Sequence, residues 1–97
     1  MVKQISIFVE NKPGKISKIT EILKKEGINL RAMTIVDSGN FGIIRITTDK
    51  NEKAYNALKR DNFLVSMQEV LIVEIPDKVG SFHKVAKILE RNRINIE

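Results

Sequence analysis

Residues 2–30 read VKQISIFVENKPGKISKITEILKKEGINL, and a change of period inside this stretch decides the fold. Ile5, Ile7 and Val9 alternate through residues 2–10, the pattern of a strand with one covered face. Lys12-Pro13-Gly14 breaks that pattern, because proline removes a ladder donor and glycine opens the left-handed region. Ile16, Ile19, Ile22 and Leu23 then recur at helical spacing, and Gly27 is placed to close the helix in a left-handed conformation.

Further along, a second strand is expected from Ile28 to about Val36, a hairpin-type turn at Asp37-Ser38-Gly39-Asn40, and a third strand from Phe41 to Thr47. Asp49 with Glu52 three residues on reads as a capping box for a helix carrying Ala54, Tyr55, Ala57 and Leu58. A fourth strand begins near Phe63 and runs towards Met67. The order βαββαβ, with both helices able to cover one face of an antiparallel four-stranded sheet, predicts an α+β, ferredoxin-like plait.

The same unit then starts again. Gly80 falls 66 positions after Gly14, and the same shift places Lys84 on Lys18, Ile88 on Ile22, Leu89 on Leu23 and Ile94-Asn95 on Ile28-Asn29. Val70 to Ile75 repeats the first strand, with Phe82 standing for Ile16 and Val85 for Ile19. The expectation is a complete domain over residues 1–68 and an incomplete second copy over 69–97. A strand-helix-strand piece of that size cannot bury its own apolar face. Phe82, Val85, Ile88 and Leu89 therefore need cover from a continuing chain or from a partner. A longer tandem protein truncated here, together with homodimer or higher homo-oligomer packing, is the expected explanation.

Composition narrows the function. Hydrophobic content of 42% and charged content of 30% are those of an ordinary globular chain, and no apolar run approaches the ~20 residues of a membrane span. The absence of cysteine removes disulfides and thiol nucleophiles, and fits a cytoplasmic location. The net charge of +5 invites a nucleic-acid reading, but the cations are interleaved with Glu and Asp, as on a solvated lysine-rich surface. Catalysis has little to stand on: His83 is the sole histidine, on the solvent side of the repeated helix where the first copy has Ser17. No metal cluster, nucleophile set, P-loop or GxGxxG is present, so neither enzyme activity nor a cofactor is expected.

Binding has more support. In both copies a glycine turn leads from a strand into a helix, gathering free backbone N–H groups at a positive dipole end suited to a small anion. Asn11 precedes the turn and Asn29 opens the next strand; an amide both donates and accepts, as the ammonium and carboxylate of a free amino acid require. The expectation is that the plait sets these two beside the same helix start or within a partner's reach. Turn-shaping by Asn11 and capping by Asn29 are the plainer alternatives.

At these residues a family resemblance emerges. Ile5 through Glu74 resembles an ACT domain, the small regulatory module attached to many enzymes of amino-acid metabolism. ENKPGKISKITEILKKEGINL, Glu10 to Leu30, resembles the matching part of the serine-sensing domain of bacterial phosphoglycerate dehydrogenase. The run MQEVLIVEIPDKVGSF, Met67 to Phe82, is similar to stand-alone tandem ACT proteins. The resemblance implies a ligand held between the first strand-helix loop of one domain and elements of a neighbour, with ligand level reported to a regulated enzyme or other partner. It implies that Asn11 and Asn29 hold the ligand's polar groups, assisted by the Pro13-Gly14-Lys15-Ile16 turn. Asp77, Gly80 and Asn95 correspond in the second copy. Val9 stands where the serine-sensing pattern has histidine, Asp77 replaces the asparagine so that the second site is altered or silent, and Arg93 replaces Gly27.

Two other readings share the βαββαβ order. An RNA-recognition motif would display stacking aromatics on the open sheet face; Phe8 and Phe41 could serve, but Ile43 and Ile46 stand where more are expected. A dimerisation module without ligand would look the same in sequence.

Overall fold

The computed structural model describes residues 2–97. Its elements are β1 (Val2–Glu10), α1 (Lys15–Lys25), β2 (Leu30–Ser38), β3 (Phe41–Thr48), α2 (Asn51–Arg60), β4 (Leu64–Val70) and α3 (Ser81–Arg91). The four strands form one antiparallel sheet in the order β2-β3-β1-β4, which is the ferredoxin-like plait read from the sequence.

Register explains which side chains become core. Ile5 faces Ile46 and Ile7 faces Ile44 across β1 and β3, and all four are at most 2% exposed beneath the helices. From above, α1 contributes Ile19 and Leu23, and α2 contributes Ala54 and Leu58. Each fully buried Ile or Leu stabilises by about 1.5–3 kcal/mol relative to exposure. Ile43 and Ile46 are three apart on a period-two strand, so they cannot share a face. Ile46 lies under the helices, and the expectation that it belongs to the open sheet face is corrected.

Other expectations shift at element ends. The second strand starts at Leu30 rather than Ile28, because Ile28 closes α1: its N–H donates to the Leu23 carbonyl (2.9 Å) and that of Gly27 donates to Lys24 (3.1 Å). With Gly27 at φ 67° this is the paired-bond Schellman ending. The fourth strand runs on past Met67 to Val70, which pairs with Val2. The capping box does not form, since Lys50 is the N-cap residue and no side chain caps α2. Asp49 instead accepts from the Asn29 N–H (2.9 Å), while Asn51 accepts from the N–H and hydroxyl of Thr48 (2.9 and 2.8 Å). Both carboxamide and carboxylate satisfy the strand-to-helix corners, leaving neither for the helix end.

The second copy keeps its helix and loses its strands. Val70 belongs to β4, residues 71–76 lie in no strand, and Ile94-Asn95 form no strand. In the first copy β1 is hydrogen-bonded on both sides, by β3 and β4; among the described residues nothing plays those parts for 71–76. α3 buries no residue, and Phe82 (64%) and Ile88 (55%) face solvent. The radius of gyration, 15.5 Å, exceeds the ~12–13 Å of a compact chain this long, consistent with a segment standing off the plait.

Candidate functional site

The first strand-helix turn is built by Pro13 and Gly14. Gly14 has φ 87° and ψ −8°, and the Lys15 N–H reaches back to the Lys12 carbonyl at 3.5 Å. A proline followed by a residue at positive φ is the type II turn, whose third position glycine occupies without steric cost. Lys18 N–H then donates to the Gly14 carbonyl (3.0 Å), opening α1 with no side-chain cap and no acidic residue in its first turn. The N–H groups of the first turn, including Ile16, point out of the helix end without intrahelical acceptors. Beside them Glu10 accepts from Lys12 at 2.8 Å, and that hydrogen bond, with the Lys12 charge, holds the Glu10 carboxyl below the usual carboxylate range.

The backbone of the turn recurs 66 residues later, with Val79 in the place of Pro13. Gly80 has φ 83° and ψ −4°, Ser81 N–H donates to Lys78 (3.2 Å), and Lys84 N–H donates to Gly80 (3.1 Å). Lys12 N–H to Glu10 and Lys78 N–H to Pro76 are both 2.9 Å. Asp77 therefore precedes the second turn as Asn11 precedes the first, without the bond that the Asn11 N–H makes to the Asn40 carbonyl. The helix endings repeat too: Arg93 takes φ 56° where Gly27 has 67°, and Ile94 N–H meets Leu89 at 2.9 Å as Ile28 meets Leu23.

Asn11 and Asn29 are not brought together within the chain. Asn11 sits at the Glu10–Phe41 end of the sheet, its N–H on the Asn40 carbonyl (2.8 Å), whereas Asn29 sits at the Thr48–Asp49 end. The length of β3 separates them, about 23 Å at ~3.3 Å per residue. Asn29 lines a cleft of about 380 Å³ with Lys24 and Gly27 at the far end of α1. A different cleft, about 500 Å³, flanks the Asn11 turn and is lined by Glu10, Lys15 and Lys18 with Phe8, Phe41 and Phe63. Asn95 corresponds to Asn29 and is exposed, as is His83.

One residue at this site enters the sequence reading only as part of a turn. Asp37, in the β2–β3 hairpin, accepts from the Asn11 side-chain amide at 3.3 Å; the same amide donates to the Gly39 carbonyl at 3.3 Å, and Asp37 also accepts from Gly39 N–H at 3.1 Å. The signal lies in the β1–β3 register, which carries the residue after Glu10 to the hairpin, and register is not written in local pattern.

The βαββαβ plait is an α+β module of a kind that ACT domains and RNA-recognition motifs share. The sequence pattern of the ACT domain pair family matches residues 1–97, and the chain belongs to that family. A crystal structure of a protein from Bacteroides thetaiotaomicron superposes with a TM-score of 0.89 at 41% identity, covering 94% of this chain and 63% of that one. The chain thus spans 63% of the length of that relative. The ligand-free regulatory subunit of aspartate kinase from Thermus thermophilus gives a TM-score of 0.77 at 16% identity, over 99% of this chain and 73% of that one. The Thermus flavus regulatory subunit gives 0.68 at 16%, over 98% and 72%. These two share the fold. No protein of curated function matches the sequence.

ACT domains are regulatory modules, and among the described residues no helix is long and apolar enough to cross a membrane.

Proposed function

We propose that this chain is a regulatory module that binds a free amino acid at its strand-helix turns and passes ligand level to an oligomeric or enzyme partner, without catalysing a reaction itself. The observation that carries the reading is the repetition of one uncapped turn, with glycine at φ 87° and again at φ 83°. Each presents backbone donors at a positive helix end, where a carboxylate gains about 0.3–1 kcal/mol from the dipole alone.

In this reading residues 1–68 are a complete unit and 69–97 the beginning of a second. The Asn11 turn of one unit works with the Asn29 end of a neighbour, because one unit holds them at opposite ends of its sheet. Pro13, Gly14, Lys15 and Ile16 form the first turn; Asp77, Gly80 and Asn95 are their counterparts and those of the asparagines. A homodimer or higher homo-oligomer in the cytoplasm supplies the neighbour, and the solvent-facing Phe82 and Ile88 support that need for cover.

The test is a panel of the twenty amino acids in thermal-shift and calorimetric titrations at millimolar concentration. At least one should stabilise the protein, and Asn29→Ala should remove the stabilisation. If none binds, the sensor reading fails and a dimerisation module without ligand takes its place. Salt-dependent binding of single-stranded RNA would favour the RNA-recognition alternative instead.

A further inference from the structure

The plait is two strand-helix-strand halves that complete each other. One half is β1-α1-β2 and the other is β3-α2-β4. Their first strands, β1 and β3, pair antiparallel at the centre of the sheet, Ile5 against Ile46 and Ile7 against Ile44. The last strand of each half pairs with the first strand of the other, β2 with β3 and β4 with β1. Above them α1 lies beside α2, tied by Lys18–Asp61 at 3.6 Å and Arg60–Glu26 at 3.3 Å. Each half buries its apolar face only because the other stands opposite, and the exchange of roles is a two-fold relation, the symmetry of an isologous dimer.

Residues 71–97 are a third half of the same kind. Turn, helix and helix ending already have the backbone of the first half. At the 66-residue shift, Leu71, Val73 and Ile75 take the places of Ile5, Ile7 and Val9, and Leu89 that of Leu23. Yet Leu71 and Val73 are 63% and 52% exposed, where Ile5 and Ile7 are at 0%. Among the described residues no opposing half covers them.

Charge and area say what fits there. Residues 69–97 carry five Lys and Arg against five Asp and Glu, so the formal net charge of +5 belongs wholly to residues 1–68. Two copies meeting through their plaits would bring like charge together; two meeting through 71–97 would not. Leu71, Val73, Phe82, Ile88, Ile94 and Ile96 are each about half or more exposed. At roughly 200 Å² for a large side chain fully exposed, they offer on the order of 600 Å² per copy, most of the ~800 Å² per partner of a stable dimer.

We propose that two copies of this chain complete a shared second plait, each giving residues 71–97 as one half. The 71–76 segments pair antiparallel about a two-fold axis at Val73, the two α3 helices lie side by side over them, and residues 94–97 of each copy run along the 71–76 segment of the other. This goes beyond the proposed function, which asks only for a neighbour, and it stands whether or not an amino acid binds.

Sedimentation of the whole chain tests the pairing. Wild type should be a dimer at micromolar concentration and separate on dilution. Leu89→Asp should weaken the dimer at least hundredfold while keeping the thermal transition of the plait, since in dilute solution, where the copies part, Leu89 carries little of the fold's stability. The chain has no cysteine, so Val73→Cys places one thiol per copy at the axis, where facing Cβ atoms lie about 4.5–5.5 Å apart. That variant should cross-link copies under mild oxidation, and Glu52→Cys, on exposed α2, should not. A wild-type monomer at high micromolar concentration, a dimer that survives Leu89→Asp, or cross-linking through Glu52→Cys instead of Val73→Cys overturns the proposal. Each of these results leaves the amino-acid reading standing, because the amino-acid panel measures that separately.

Discussion

α1 and α3 are the same helix in two situations. Each has 11 residues, starts from a left-handed glycine without a side-chain cap, and ends in the same pair of backbone bonds. Yet α1 buries Ile19 and Leu23 to 1% and 2% exposure, while α3 buries nothing. The difference shows that turn, helix and ending are dictated within the local segment, whereas burial belongs to the strands beneath. Where those strands are present the apolar face becomes core; where they are missing it becomes a surface awaiting cover.

The largest expected effect breaks the comparison at its buried position. Leu23→Ala should destabilise the fold by about 2–4 kcal/mol in urea unfolding, and the matched Leu89→Ala by less than about 1 kcal/mol. Equal losses would mean that α3 is packed in solution, and a loss for Leu89 that grows with protein concentration would place it in an oligomer interface. Next come the helix endings. Gly27→Ala should cost about 1–2 kcal/mol, because alanine is strained at φ 67°. Arg93→Gly should relieve a comparable strain at φ 56°, seen as greater amide protection at the end of α3 and little change in global unfolding.

Sequence pattern reached most of this fold because its local signals agree. Alternation at Ile5, Ile7 and Val9, the Pro13-Gly14 break and the Gly27 stop each report a conformation set by neighbours in the chain. The failures are those of long-range pairing. Asp49 and Asn51 looked like helix-cap chemistry, but tertiary corners at Asn29 and Thr48 use them first. Residues 71–75 have the composition of a strand, but a strand needs partners for its ladder. For the site, the two turns were legible. The distance between Asn11 and Asn29 and the grip of Asp37 on Asn11 were not, since both follow from strand register.

A smaller effect separates the two turns by pH. Glu10 is held below the usual carboxylate range by its hydrogen bond from Lys12 and by that residue's charge, which also raises Lys12. The contribution of Glu10 is fully present above its unfolded value and lost as pH falls through the lowered folded one; that of Lys12 is lost only as pH rises through its raised value. The second turn has Pro76 in place of Glu10 and no such pair. The amide signal of Lys12 should therefore move on acidification with a midpoint below that of an ordinary glutamate. Both effects are small at this exposed site.

The central claim, that the repeated turn is where ligand binds, is tested most directly by amide chemical-shift mapping during titration with the amino acid that stabilises the protein. Saturable shifts should appear at Gly14, Lys15 and Ile16, at the Asn11 side-chain amide, and at Gly80 and Ser81. Shifts confined to the open sheet face or to the α1–α2 groove, with both turns unmoved at saturation, would contradict it.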